Sequence, residues 1–98
     1  MRDLRLALLQ RATAWHDPEA NRSALEASLA ALPRGLDVVL LPEMFTTGFT
    51  MEPETQGEGH PGPTLAWLRT QAARLDAAVA GSVAVQAPGE GARNRFYF

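Results

Sequence analysis

The sequence predicts an α/β fold, with elements in the order β-α-β-α-β-β and a sheet left incomplete within these residues. Three observations predict it. Two short apolar runs, residues 4–9 and 36–41, flank a helix-start signal at Asp17-Pro18-Glu19, which outlines a right-handed βαβ unit. A second apolar stripe at helical spacing follows, carried by Leu65, Leu68, Ala72 and Leu75. The chain then closes with two partly alternating runs around Pro88-Gly89-Glu90-Gly91, the pattern of an antiparallel hairpin.

Each element has a local cause. Residues 4–9 hold a single embedded Arg5 and give way to polar Gln10-Arg11. Their length suits a buried strand, although periodicity alone does not separate it from a piece of helix. At the first helix, Asp17 can cap free amides, Pro18 tolerates the first helical position, and Glu19 favours the positive end of the dipole. Leu25, Leu29 and Leu32 put one apolar stripe along that helix, which ends near Pro33-Arg34-Gly35. Residues 36–41, centred on Val38-Val39-Leu40-Leu41, do not alternate, so a strand covered on both faces is expected.

Residues 44–63 contain four glycines and three prolines and have no clear period. A structureless stretch of about 20 residues is long for a small domain and usually marks a functional loop. Pro63-Thr64 starts the second helix, with Trp67 close to its apolar face. Residues 78–85 and 93–98 are the strands of the hairpin. The pattern stops inside the last strand, and two helices are few for a sheet with parallel strands. The expectation is therefore a single domain cut short, of which residues 1–98 are the first part.

Composition narrows the function classes. The chain has 98 residues, enough for one small domain, with 46% hydrophobic and 20% charged residues, as in an ordinary globular protein. A formal charge of −2, with nine scattered arginines and no lysine, gives no support for a nucleic-acid or anionic-membrane partner. Cysteine is absent, which excludes disulfides, thiolate metal sites and a cysteine nucleophile within these residues. The apolar start is shorter than the roughly 7–15 residues of a signal peptide core. A cytoplasmic location is the default expectation.

The sharpest chemical feature is Glu43, in Leu40-Leu41-Pro42-Glu43-Met44-Phe45. It sits just past the carboxyl end of a strand, where open α/β sheets bind their ligands. Partial burial beside Met44, Phe45 and Phe49 would push such a carboxyl toward neutrality and suit a general base. The competing reading is a solvated loop carboxylate, with Pro42 merely ending the strand. Position alone leaves both open.

The segment Leu41-Pro42-Glu43-Met44-Phe45-Thr46-Thr47-Gly48-Phe49 resembles the first catalytic segment of the nitrilase, or carbon–nitrogen hydrolase, superfamily, and within it the omega-amidase branch. The likeness continues in Trp15-His16-Asp17-Pro18, Gly62-Pro63-Thr64, Gly81-Ser82-Val83 and Asn94-Arg95-Phe96-Tyr97-Phe98, in order and at family-like spacing. The resemblance implies the first part of a four-layer α-β-β-α sandwich, a Glu–Lys–Cys triad, a homodimeric parent and no metal or organic cofactor. It implies that Glu43 is the general base toward a small-molecule amide substrate, such as the omega-amide of a 2-oxo acid, with Met44, Phe45 and Phe49 as pocket walls. The family's lysine and cysteine lie C-terminal to the matched region, and this chain contains neither residue type. Ser82, Thr46 and Thr47 are conceivable substitute nucleophiles, yet none has a recognisable partnered base beyond Glu43. These residues alone are thus expected to be inactive.

Other features are decoys. Gly57-Glu58-Gly59-His60-Pro61-Gly62 spells G-x-G-x-x-G but lies inside a loop rather than directly after a strand, and Pro61 removes an amide donor. Asn21-Arg22-Ser23 spells a glycosylation sequon in a predicted helix, an incidental match. His16 and His60 are far apart and make no metal site. Trp15 and Trp67 are packing residues on this reading, and Asn94 either orients neighbouring groups or is an ordinary hairpin residue. Two rival functions follow: a non-catalytic α/β module that associates with a homologue, and a nucleotide-binding module resting on the glycine match alone.

Overall fold

The structure is a computed structural model that describes residues 2–98. Strands β1 (Leu6–Leu8), β2 (Val38–Leu40), β3 (Ala78–Ala87) and β4 (Gly91–Tyr97) form one sheet in the order β1-β2-β3-β4. The β1–β2 and β2–β3 pairs are parallel, and β3–β4 is the expected antiparallel hairpin. The crossovers carry α1 (Pro18–Ala30) and α3 (Pro63–Leu75). The predicted order holds, with one addition. The loop after β2 is not structureless, because a short helix, α2 (Pro53–Gln56), interrupts it.

The helix ends follow local chemistry. The Asp17 carboxylate accepts the Ala20 amide at 3.1 Å, and Pro18 occupies the first turn of α1. The N-cap of α3 is Gly62, which has no side chain to offer. Glu58 supplies the cap instead, accepting the Thr64 amide at 2.8 Å and the Thr64 hydroxyl. Beside it, Glu58 forms a parallel bridge to Val85, so the loop docks along β3 beyond the end of β2.

The helices deliver Leu25, Leu29 and Leu68 to one cluster with Val39, Val79, Val83 and Val85 of the sheet. The other sheet face is shielded unevenly, with its small central residues buried and its large apolar flanks exposed. Strand alternation and register place Leu6, Leu8, Val38, Leu40, Ala80, Ser82, Asn94 and Phe96 there together. Leu6, Leu8, Phe96 and Phe98 are 49%, 70%, 62% and 80% exposed. The expectation that β2 is covered on both faces is therefore corrected: Val39 is buried under the helices, whereas Val38 and Leu40 on the other face are only half-buried. An apolar face of this kind marks a surface that another layer buries.

Candidate active site

The site is built where β2 runs out. The Leu41 amide still donates to Ala80 O at 2.8 Å, which prolongs the strand pairing by one residue. Pro42 has no amide to continue it. Glu43 follows, and Met44 then adopts a left-handed backbone with φ 48°. A non-glycine residue in that region costs on the order of 1–3 kcal/mol and persists only where surrounding bonds hold it. Here β3 holds it. Met44 N donates to Ser82 Oγ at 2.8 Å, and Phe45 N donates to Ser82 O at 3.3 Å. The chain then folds back on itself, with Gly48 N donating to Met44 O at 2.9 Å.

This elbow leaves the Glu43 side chain beside a cavity of about 360 Å³ lined by Leu41, Glu43, Ser82, Asn94 and Phe96. Asn94 Nδ2 donates to Glu43 Oε1 at 2.9 Å. Among the described residues, the ion pairs are Arg2–Asp37, Arg74–Glu26 and Arg95–Glu90, so no cation contacts Glu43. The expected burial of Glu43 is corrected as well, since the residue is exposed on the open sheet face. A second cavity of similar size, between the C-terminal ends of α1 and α3, is lined by leucines with Gln71, Arg34 and Arg74 and contains no general base.

None of Met44, Phe45 and Phe49 lines the cavity beside Glu43. Met44 is buried, with its amide held by Ser82. The Phe45 ring turns into the helix-covered core, 1% exposed and 5.9 Å from Trp67. It lies on Gly81, where an added Cβ would stand 2.9 Å from the ring. Phe49, at 66% exposure, points out to solvent from the turn beyond. The reason is the elbow itself: after left-handed Met44, successive side chains no longer share a direction with Glu43.

Ser82, Thr46 and Thr47 are buried, and none bonds to Glu43. Ser82 Oγ accepts the Met44 amide, and Thr47 Oγ1 donates to Gly48 O at 2.8 Å. Thr46 Oγ1 has no hydrogen-bond partner among the described residues. The glycine motif fares no better as a phosphate site, because the Glu58 carboxylate already occupies the α3 amide end that a pyrophosphate would need. Among the described residues, no group of three or more His, Cys, Asp or Glu is placed to hold a metal ion. No described helix is long and apolar enough to cross a membrane.

Asn21 has a structural use that its sequon spelling hid. It is 5% exposed, accepts the Ala14 amide at 2.7 Å, and donates to Ala14 O at 2.8 Å and Thr46 O at 2.7 Å. It thus clamps the elbow loop and the segment before α1 onto one helix. His16 adds a second tie, bonded through Nε2 to Thr50 Oγ1 at 2.7 Å, with Trp15 stacked on it at 4.2 Å. Replacing Asn21 with Ala leaves these backbone groups without partners and is expected to cost about 2–3 kcal/mol. Chemical denaturation of the variant checks this, and a change under about 0.5 kcal/mol, ordinary for a surface site, would show that the clamp carries no weight.

Comparison with known proteins decides the family. The sequence profile described as carbon-nitrogen hydrolase matches residues 5–97. The chain belongs to the carbon–nitrogen hydrolase family. It is 41% identical over 102 residues to the omega-amidase YafV of Yersinia enterocolitica, and 38% identical over 96 residues to the omega-amidase YafV of Escherichia coli K12. Each match covers 98% of this chain and 36% of the relative. A CN-hydrolase superfamily protein from Xanthomonas campestris, whose crystal structure has an arsenic adduct in the active site, superposes with a TM-score of 0.91 at 49% identity. That match covers 98% of this chain and 36% of the other. The chain thus spans about a third of the length of these carbon–nitrogen hydrolase relatives.

Proposed function

We propose that residues 1–98 are the N-terminal segment of a cytoplasmic hydrolase of small linear amides, with Glu43 as its general base. Omega-amides of 2-oxo acids, such as 2-oxoglutaramate, are the substrates, and the products are the acid and ammonia. The observation that carries this reading is the Glu43 carboxylate, presented at a cavity past the carboxyl end of β2 and hydrogen-bonded by Asn94. The family's cysteine and lysine come from residues outside 1–98, since this sequence has neither.

In this mechanism Glu43 takes the proton of the cysteine thiol, and the thiolate attacks the amide carbonyl. The tetrahedral intermediate collapses as Glu43 returns a proton to the departing nitrogen, releasing ammonia and leaving a thioester. Glu43 then takes a proton from water, whose oxygen attacks the thioester, and returns that proton to the departing sulfur, which frees the acid and restores the thiol. The lysine stabilises the developing oxyanion. No step uses a metal or organic cofactor. The open apolar face bearing Leu6, Leu8 and Phe96 fits the inner layer of an α-β-β-α sandwich, whose second sheet would close the cavity. The parent is proposed to be a homodimer, as its family resemblance implies.

The test compares two proteins. Purified 1–98 releases no ammonia from 2-oxoglutaramate, because loss of a covalent nucleophile costs on the order of a millionfold in turnover. The longer polypeptide releases ammonia at rates typical of enzymes. Enzyme-like turnover by 1–98 alone would contradict the proposal.

A further inference from the structure

We infer that Asn94 is a positioning residue for the catalytic carboxylate, an inference that rests on the general-base role proposed for Glu43. A carboxylate has two oxygens, and a base that serves first a thiol and then water must keep one of them aimed at the reacting atoms. Asn94 commits the other. Its Nδ2 donates to Oε1 at 2.9 Å, while Oε2 has no hydrogen-bond partner among the described residues. The amide orientation follows from chemistry, because an ionised carboxylate only accepts and so must face the NH₂ end of the side chain.

The surrounding fold makes this contact specific. Asn94 stands opposite Ala84, and Ser82 stands opposite Phe96, in the β3–β4 register. All four lie on the open face, and Ser82, Asn94 and Phe96 line the cavity with Glu43. The hairpin therefore grips the catalytic segment twice. Ser82 fixes the backbone through Met44 N, and Asn94 fixes the side chain through Oε1. A one-residue slip of β4 would send Asn94 to the opposite face, so the register is itself a device for aiming Glu43. No other described side chain bonds to Glu43, and no described cation is within ion-pair distance of it.

The experiment uses the full-length enzyme and steady-state ammonia release from 2-oxoglutaramate, with Glu43→Gln as the reference for loss of the base. Asn94→Leu is expected to lower kcat about 100-fold, near the lower end of what a placed general base supplies, with KM changed less than about twofold. Asn94→Asp separates positioning from packing. Its carboxyl repels Glu43 when both are ionised, but donates a hydrogen bond in place of the amide when protonated. Activity of that variant should be lowest at alkaline pH and rise relative to the parent as pH falls.

Wild-type kcat in Asn94→Leu, beside an inactive Glu43→Gln, would overturn the inference and leave the general-base reading intact. Equal losses in both Asn94 variants at every pH, with lowered melting temperatures, would also overturn it, since that is the signature of a structural residue. A fully active Glu43→Gln would remove the general-base reading, and the role of Asn94 with it.

Discussion

In the longer amide hydrolase proposed above, replacing Glu43 with Gln is expected to lower kcat for an omega-amide by about 10³-fold or more, with the melting temperature unchanged. A positioned general base contributes typically about 10²–10⁴-fold to one proton transfer. Glu43 is proposed to act in both halves of the reaction, which places the loss toward the upper part of that range. Glutamine preserves the shape, and its carbonyl oxygen still accepts from Asn94, so the elbow geometry survives. What it lacks is the ability to take a proton. Because Glu43 is exposed and has no ion-pair partner among the described residues, little stability depends on its charge. Steady-state kinetics and a thermal melt check both halves of the expectation. Parent-like kcat in a well-folded variant would leave Glu43 an ordinary loop carboxylate.

Truncating Phe45 to Ala is expected to produce the largest loss of stability of any change considered, about 3–5 kcal/mol. The ring is fully buried, rests against Gly81 on β3, and faces Trp67 of α3. It locks the elbow, the sheet and the helix layer at one point. Native proteins have a total stability of about 5–15 kcal/mol, so a loss of this size brings the variant toward the threshold of unfolding. Urea denaturation should show a lower midpoint with little change in slope. A coupled test sharpens the assignment. A methyl group at Gly81 would meet the Phe45 ring at 2.9 Å and Leu41 Cβ at 3.1 Å. Gly81→Ala should therefore cost less in the Phe45→Ala background than in the parent. Strict additivity of the two changes would show that the ring does not rest on this glycine.

Much of the fold was legible because it is written in local patterns. Asp17-Pro18 announced α1, the leucine spacings announced both long helices, and Pro88-Gly89 announced the hairpin. The location of Glu43 was legible too, since Pro42 ends a non-alternating apolar run. What the sequence could not convey was direction. The left-handed turn at Met44 depends on hydrogen bonds that Met44 N and Phe45 N donate to Ser82, 38 residues from Met44, and it rotates Phe45 into the core and Phe49 outward. Asn21 and Glu58 were misleading for the same reason. Their partners, Thr46 O and the Thr64 amide, are brought to them by the tertiary fold. Coverage of β2 on both faces was inferred from its apolar run, and the run is equally consistent with a face awaiting another layer.

The most direct test of the central claim, that Glu43 is one member of a catalytic set completed outside residues 1–98, is the intact mass of the native protein from its source. A mass well above the 10.6 kDa of this chain is the expected result, with a lysine and a cysteine in the additional sequence. A native mass of 10.6 kDa would contradict the claim, and the hydrolase reading would then describe only the ancestry of these residues.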